Sequence, residues 1–194
     1  MQGRLSWQHA RMHEKKTLSW SRRAWLAQAA AGAAGIIPAL GASAQQPPVG
    51  EAKAGPPPPL GTRIVLPAVP MLDGRVFDPA SAEGQVLVVY WWASWCPFCA
   101  LQSPLMDQLW REQRGRGLQM LGLSIDKKIE DAQAYMAKRD YVFPSGFVTP
   151  EVARALPKPK GLPITYARGR DGRLLMAEAG QLFPEDVAQI ARFL

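Results

Sequence analysis

The sequence predicts an α/β domain, a three-layer sandwich with a mixed central sheet and helices on both of its faces. Three observations carry that prediction. Val86-Leu87-Val88-Val89-Tyr90-Trp91-Trp92 and Leu118 to Ile125 are runs of β-formers without polar alternation, the pattern of strands covered on both sides. Each run is followed by a segment of helical periodicity. The chain then closes with a hairpin and a last helix, so parallel crossovers and an antiparallel edge occur in one sheet.

Taken in order, Arg63-Ile64-Val65-Leu66 and Met71 to Phe77 read as short extended pieces, the second folded about the Asp73-Gly74 turn. From Pro97 the pattern is helical, through Leu101, Leu105 and Leu109 at a four-residue period. After the second buried strand, Ile129 to Arg139 places Ile129, Ala132, Tyr135 and Met136 on one helical face. Glu151 to Leu156 is a short helical candidate. Pro163 to Arg168 and Arg173 to Glu178 form a hairpin around Gly169-Arg170-Asp171-Gly172. Pro184-Glu185-Asp186 opens the final helix with the proline and acids that a helix N-terminus favours.

A chain of 194 residues accommodates one such domain with appendages. Its net charge of +7 is a property of the leader: residues 1–44 hold six Lys and Arg against Glu14, leaving only +2 for the remainder. A nucleic-acid partner is therefore not expected. Within that leader, Ser21-Arg22-Arg23-Ala24-Trp25-Leu26 precedes an Ala/Gly-rich apolar run, and Ala42-Ser43-Ala44 supplies small residues before a cleavage point. The arrangement resembles a twin-arginine export signal over residues 1–44, cut after Ala44. A Sec-type signal and a retained anchor are the alternatives, and Met12 is a second possible start. Residues 45–61 form a Pro-rich linker, unable to bury a core. Residues 62–194 are the domain, expected in the periplasm.

Both histidines, His9 and His13, lie in the leader, so the domain has no Ser-His, Cys-His or His-ligated metal chemistry. Two cysteines alone make neither a disulfide framework nor a four-ligand zinc site. Cys96 and Cys99 stand where the first buried strand meets the helix that follows. A sulfur at a helix N-terminus meets unpaired N–H groups and the positive end of the helix dipole, which favour thiolate. Cys96 is thus the expected exposed nucleophile and Cys99, one turn on, the resolving thiol. Pro97 at the first helical position costs no hydrogen bond. Trp95 and Phe98 are read as surface contacts, Trp91 and Trp92 as packing, and Asp126 as a solvated strand-end carboxylate. An inert disulfide and a two-thiolate Cu(I) site, as in copper-delivery proteins, are the rival readings.

Tyr90-Trp91-Trp92-Ala93-Ser94-Trp95-Cys96-Pro97-Phe98-Cys99, with Gly161-Leu162-Pro163-Ile164-Thr165 further on, resembles the thioredoxin superfamily, nearest its TlpA/ResA-like periplasmic branch. That resemblance implies a thioredoxin-like fold and a thiol–disulfide oxidoreductase without cofactor beyond the Cys96–Cys99 disulfide. It favours a reductase over an oxidase or isomerase, with cysteine-containing periplasmic proteins as partners and a membrane thiol as electron donor. It also implies a cis Pro163 facing the cysteines, so that Leu162 and Pro163 join Trp95, Pro97 and Phe98 on the substrate-binding surface. Two departures stand out. Tyr90 replaces an acidic or amide residue, and Gln102 replaces the glutamate of ResA-like members, so neither position offers a carboxylate to take a proton from Cys99.

Overall fold

The computed structural model describes residues 55–194; the expected export signal, its Arg22-Arg23 pair, the cleavage point after Ala44 and the first part of the linker lie outside the described residues. A two-stranded antiparallel ribbon, β1 (Val69–Pro70) and β2 (Val76–Phe77), opens the fold. The main sheet holds β3 (Val86–Trp92), β4 (Leu118–Ser124), β5 (Ser145–Phe147), β6 (Ile164–Arg168) and β7 (Leu174–Ala179) in the order β5-β4-β3-β6-β7. β3, β4 and β5 run parallel, while β6 and β7 are antiparallel to their neighbours. Among the described residues four α-helices accompany them: α1 (Pro97–Gln113), α2 (Ile129–Lys138), α3 (Pro150–Ala155) and α4 (Pro184–Gln189).

Every residue of β3 is buried, because the strand lies mid-sheet with a layer on each side. Its side chains alternate between two cores. Val86, Val88, Tyr90 and Trp92 meet Met106 and Leu109 of α1, Ala132 and Met136 of α2, and Val187 of α4. Leu87, Val89 and Trp91 meet Ile64, Leu66, Val69 and Met71 of the incoming chain, Ala82, and Val152 of α3. Burying each large side chain contributes about 1.5–3 kcal/mol, which makes β3 the mechanical centre of the domain. The expected sandwich with helices on both faces is the observed architecture.

Several elements differ from expectation. Leu109 is buried, but Leu101 is exposed, and the inward face of α1 runs through Cys99, Gln102, Ser103, Met106 and Asp107. A strict four-residue row drifts by about 40° per step around a helix of 3.6 residues per turn, so the three leucines cannot share one face with the core. Ile64 and Leu66 are buried without a regular strand; only Arg63 forms a bridge, to Arg173. β5 carries too short a pattern to be read from sequence. It forms because Gly146 permits close approach: a Cβ there would come within 2.5 Å of Val69 Cγ1 and 3.0 Å of the Pro70 carbonyl. The end of the Pro-rich segment is pinned to β7, the Gly61 N–H donating to the Leu174 carbonyl at 2.8 Å.

Gly122 in β4 is similarly confined, since a Cβ would collide with Ser145 Oγ and approach Trp92 Nε1 to 3.1 Å. Gly122→Ala is therefore expected to destabilise the domain by about 1–3 kcal/mol through overpacking. A urea midpoint indistinguishable from that of the parent protein would contradict this packing.

Candidate active site

β3 delivers the chain to the edge of the sheet where α1 begins. Trp92 pairs with Ser124 across the parallel β3–β4 ladder, so the two strands end side by side and the turn from Ala93 to Cys96 lies over the end of β4. Asp126 fastens that turn. Its carboxylate accepts from the Ser94 backbone N–H at 3.1 Å, from Ser94 Oγ at 2.7 Å and from Ser124 Oγ at 2.7 Å. The expectation of a solvated Asp126 is thus wrong: the residue is buried, because the turn folds back over the strand end that carries it.

Cys96 is the N-cap of α1, with extended backbone, and its sulfur accepts the Cys99 backbone N–H at 3.2 Å. This is the position where a Ser or Asp oxygen usually satisfies an unpaired helix donor. Pro97 takes the first helical position. Both cysteines are free thiols. Cys96 is less open than expected, with 4% of its surface exposed against none for Cys99, while its neighbours Trp95 and Phe98 stand 59% and 56% exposed. The aromatic side chains project and the sulfur sits low between them. Trp91 and Trp92 are both fully buried, Trp91 edge-on against Tyr166 at 5.0 Å and Trp92 against Tyr135 at 5.5 Å.

The Leu162–Pro163 peptide is cis. β6 pairs antiparallel with β3, Ile164 opposite Trp91, which brings Pro163 level with the last residue of β3. Leu162 is half-buried and packs on the cluster that contains Cys96 and Cys99. The residues singled out from sequence therefore gather at one edge of the sheet. Two members were not singled out for a binding role there. Gln102 is fully buried; its Nε2 donates to Thr165 Oγ1 at 2.8 Å and its Oε1 accepts the Leu182 N–H at 2.7 Å, tying α1 to the strand after the cis peptide and to the approach to α4. Ser103 stands 3.0 Å from the Tyr90 hydroxyl. A sequence signal existed for both: they are polar residues on the face of α1 that the helical period directs inward.

Among the described residues no group of three or more His, Cys, Asp or Glu side chains comes together as a metal site. Residues 62–156 match the AhpC/TSA family. A thiol:disulfide interchange protein of the thioredoxin family from Chlorobium tepidum superposes with a TM-score of 0.64 at 23% identity, over 70% of this chain and 97% of that one. The thiol–disulfide oxidoreductase ResA of Bacillus thuringiensis is 21% identical over 121 residues, which is 61% of this chain and 68% of ResA. The fold is thioredoxin-like. Soluble secreted antigen MPT53 of Mycobacterium tuberculosis is 28% identical over 72 residues, 37% of this chain. That match spans 40% of the antigen's own length.

The turn from Cys96 to Cys99 gives the two sulfurs unlike surroundings. Burial pushes the Cys99 thiol far above its ordinary value, and the adjacent Cys96 sulfur adds to the effect. A thiol raised on folding contributes its full stability below the unfolded value of about 8.5 and loses it as pH climbs toward the folded value. The reduced protein should therefore weaken above about pH 8.5, by up to ~1.4 kcal/mol per pH unit. Tyr90, also raised by burial, joins only above about pH 10. Urea midpoints of the reduced protein between about pH 8 and 10 will fall with this slope, and Cys99→Ala will flatten it. Equal slopes in the two proteins would show that Cys99 is not the titrating group.

Proposed function

We propose that this chain is an exported thiol–disulfide oxidoreductase that reduces disulfides of other proteins. The observation that carries the reading is the Cys96 sulfur at the N-cap of a seventeen-residue helix, bonded to the Cys99 amide and one turn from a second free thiol. Cys96 thiolate attacks a partner disulfide, forming a Cys96–partner S–S bond and releasing one partner sulfur with the electron pair. Cys99 then attacks Cys96 Sγ. The Cys96–Cys99 bond forms, the second partner sulfur leaves as thiolate, and two electrons have passed to the partner. The reducing direction is taken from the resemblance to the TlpA/ResA-like branch.

Trp95 and Phe98 offer exposed apolar surface beside Cys96, exposed Pro97 and half-buried Leu162 extend it, and cis Pro163, itself buried, completes the region on which an extended partner segment would lie. Cysteine-containing periplasmic proteins are the partners this reading names, with a membrane thiol returning electrons to the oxidised pair. Export rests on the leader and agrees with the secreted character that the name of the mycobacterial relative states.

The division of labour is tested by alkylation and trapping. Iodoacetamide is expected to modify Cys96 first in the reduced protein. Cys99→Ser is expected to accumulate mixed disulfides with partner proteins and Cys96→Ser almost none. Faster modification of Cys99, or equal trapping by both variants, would overturn the assignment. The route is tested separately: replacing Arg22 and Arg23 together by Lys is expected to leave uncut precursor in the cytoplasm, and normal export of that variant would reject a twin-arginine signal.

A further inference from the structure

Between α3 and β6 the chain runs through Pro157-Lys158-Pro159-Lys160-Gly161-Leu162-Pro163 without regular structure. Gly161 takes a positive φ of 92° and the Leu162–Pro163 bond is cis. The half-buried Lys158 side chain folds back along this loop. Its Nζ donates to the Pro159 carbonyl at 2.7 Å and to the Gly161 carbonyl at 2.8 Å. Beyond the cis bond, the Gly180 N–H donates to the Pro163 carbonyl at 2.9 Å. Leu162 lies between these two anchors, and neither its N–H nor its carbonyl finds a hydrogen-bond partner among the described residues.

The Gly161–Leu162 peptide is trans, so its C=O and its N–H point in opposite directions. With the carbonyl turned to Lys158 Nζ, the Leu162 N–H is turned away from the lysine. Glycine on one side of this peptide would otherwise let the plane turn over. An ammonium has donors and no acceptor, so a reversed peptide would set its N–H against the three hydrogens of Nζ. Lys158 thus removes the freedom that Gly161 grants. Leu162 itself packs on the cluster that contains Cys96 and Cys99, and Ile164, two residues on, pairs with Trp91 of the strand that leads to them.

We propose that Lys158 is a positioning residue for partner binding: it fixes the Gly161–Leu162 peptide so that the Leu162 N–H meets a backbone carbonyl of an extended segment carrying the partner disulfide. The proposal rests on the exchange reading above and deepens it, naming disulfides set in extended peptide backbone as the substrate class that Lys158 favours over small disulfides. No step of the exchange passes through Lys158, which acts through Leu162. What it secures is one neutral amide–carbonyl hydrogen bond, about threefold to tenfold in affinity.

Single-turnover kinetics of the reduced protein test this with a fluorescence-quenched peptide disulfide, compared with a small aromatic disulfide that carries no peptide carbonyl. Lys158→Met keeps most of the aliphatic stem and is expected to raise the half-saturating peptide concentration about threefold to tenfold. The limiting rate with the peptide and the rate with the aromatic disulfide should both stay at the parent values. Lys158→Arg retains a charged donor and should return the half-saturating concentration to within about twofold of the parent. Lys158→Ala carries the same expectation as Lys158→Met if the latter folds poorly by its urea midpoint. A half-saturating concentration unaltered in the variant lacking the ammonium, or a loss of rate shared equally by the peptide and the aromatic disulfide, would overturn the role of Lys158 alone. If the parent protein reduces the aromatic disulfide but no peptide disulfide, the exchange reading fails and the role of Lys158 falls with it.

Discussion

Cys96 caps α1 with its own sulfur, and the hydrogen bond from the Cys99 amide to that sulfur constrains the rest of the site. It requires the buried strand to end and the helix to begin within a few residues. It also fixes the sulfur over the unpaired donors of the first turn. A displacement of β3 by one residue would exchange the two cores, moving Tyr90 and Trp92 to the side of Leu87 and Trp91. The exact filling of both cores is therefore what aims Cys96. Stability and reactivity are coupled here through register rather than through any residue that serves both.

Two polar ties hold the turn from opposite sides. Asp126 gathers Ser94 and Ser124 on the β4 side, and Gln102 reaches Thr165 and Leu182 on the β6 side. Hydrogen bonds to a charged group contribute about 1.5–3 kcal/mol and neutral ones about 0.5–1.5 kcal/mol, so the Asp126 tie is the stiffer of the two. The consequence is an asymmetric site: the strand end that precedes the cysteines is anchored firmly, while the segment bearing cis Pro163 is tied to α1 by neutral bonds. Trp95 and Phe98 leave apolar surface exposed beside Cys96.

Much of this was legible because its signals are periodic or local. Val86 to Trp92 had to be a central strand, since seven apolar residues without alternation have no solvent face to offer. The Cys96–Cys99 spacing and the Gly161 to Thr165 segment pointed to one end of the sheet, where the structure brings both segments together. What escaped was set by tertiary contact. β5 is three residues long and exists through its neighbours. Leu101 looked inward by spacing but is exposed, and Asp126 looked solvated because nothing in its own segment announces that Ser94 will cover it. Ser103 was overlooked for the same reason: its partner Tyr90 is thirteen positions away in sequence and adjacent only once α1 packs on β3.

The Tyr90–Ser103 pair also bears on what this site has exchanged for its stability. A carboxylate buried beside Cys99 would have to be desolvated, at a cost of several kcal/mol per ion unless paired, or would sit protonated at neutral pH. A phenol and a serine hydroxyl satisfy each other while neutral, so the cavity behind the second cysteine remains low in charge. A buried, unpaired carboxylate would destabilise the fold around it, whereas the paired hydroxyls of Tyr90 and Ser103 stabilise it.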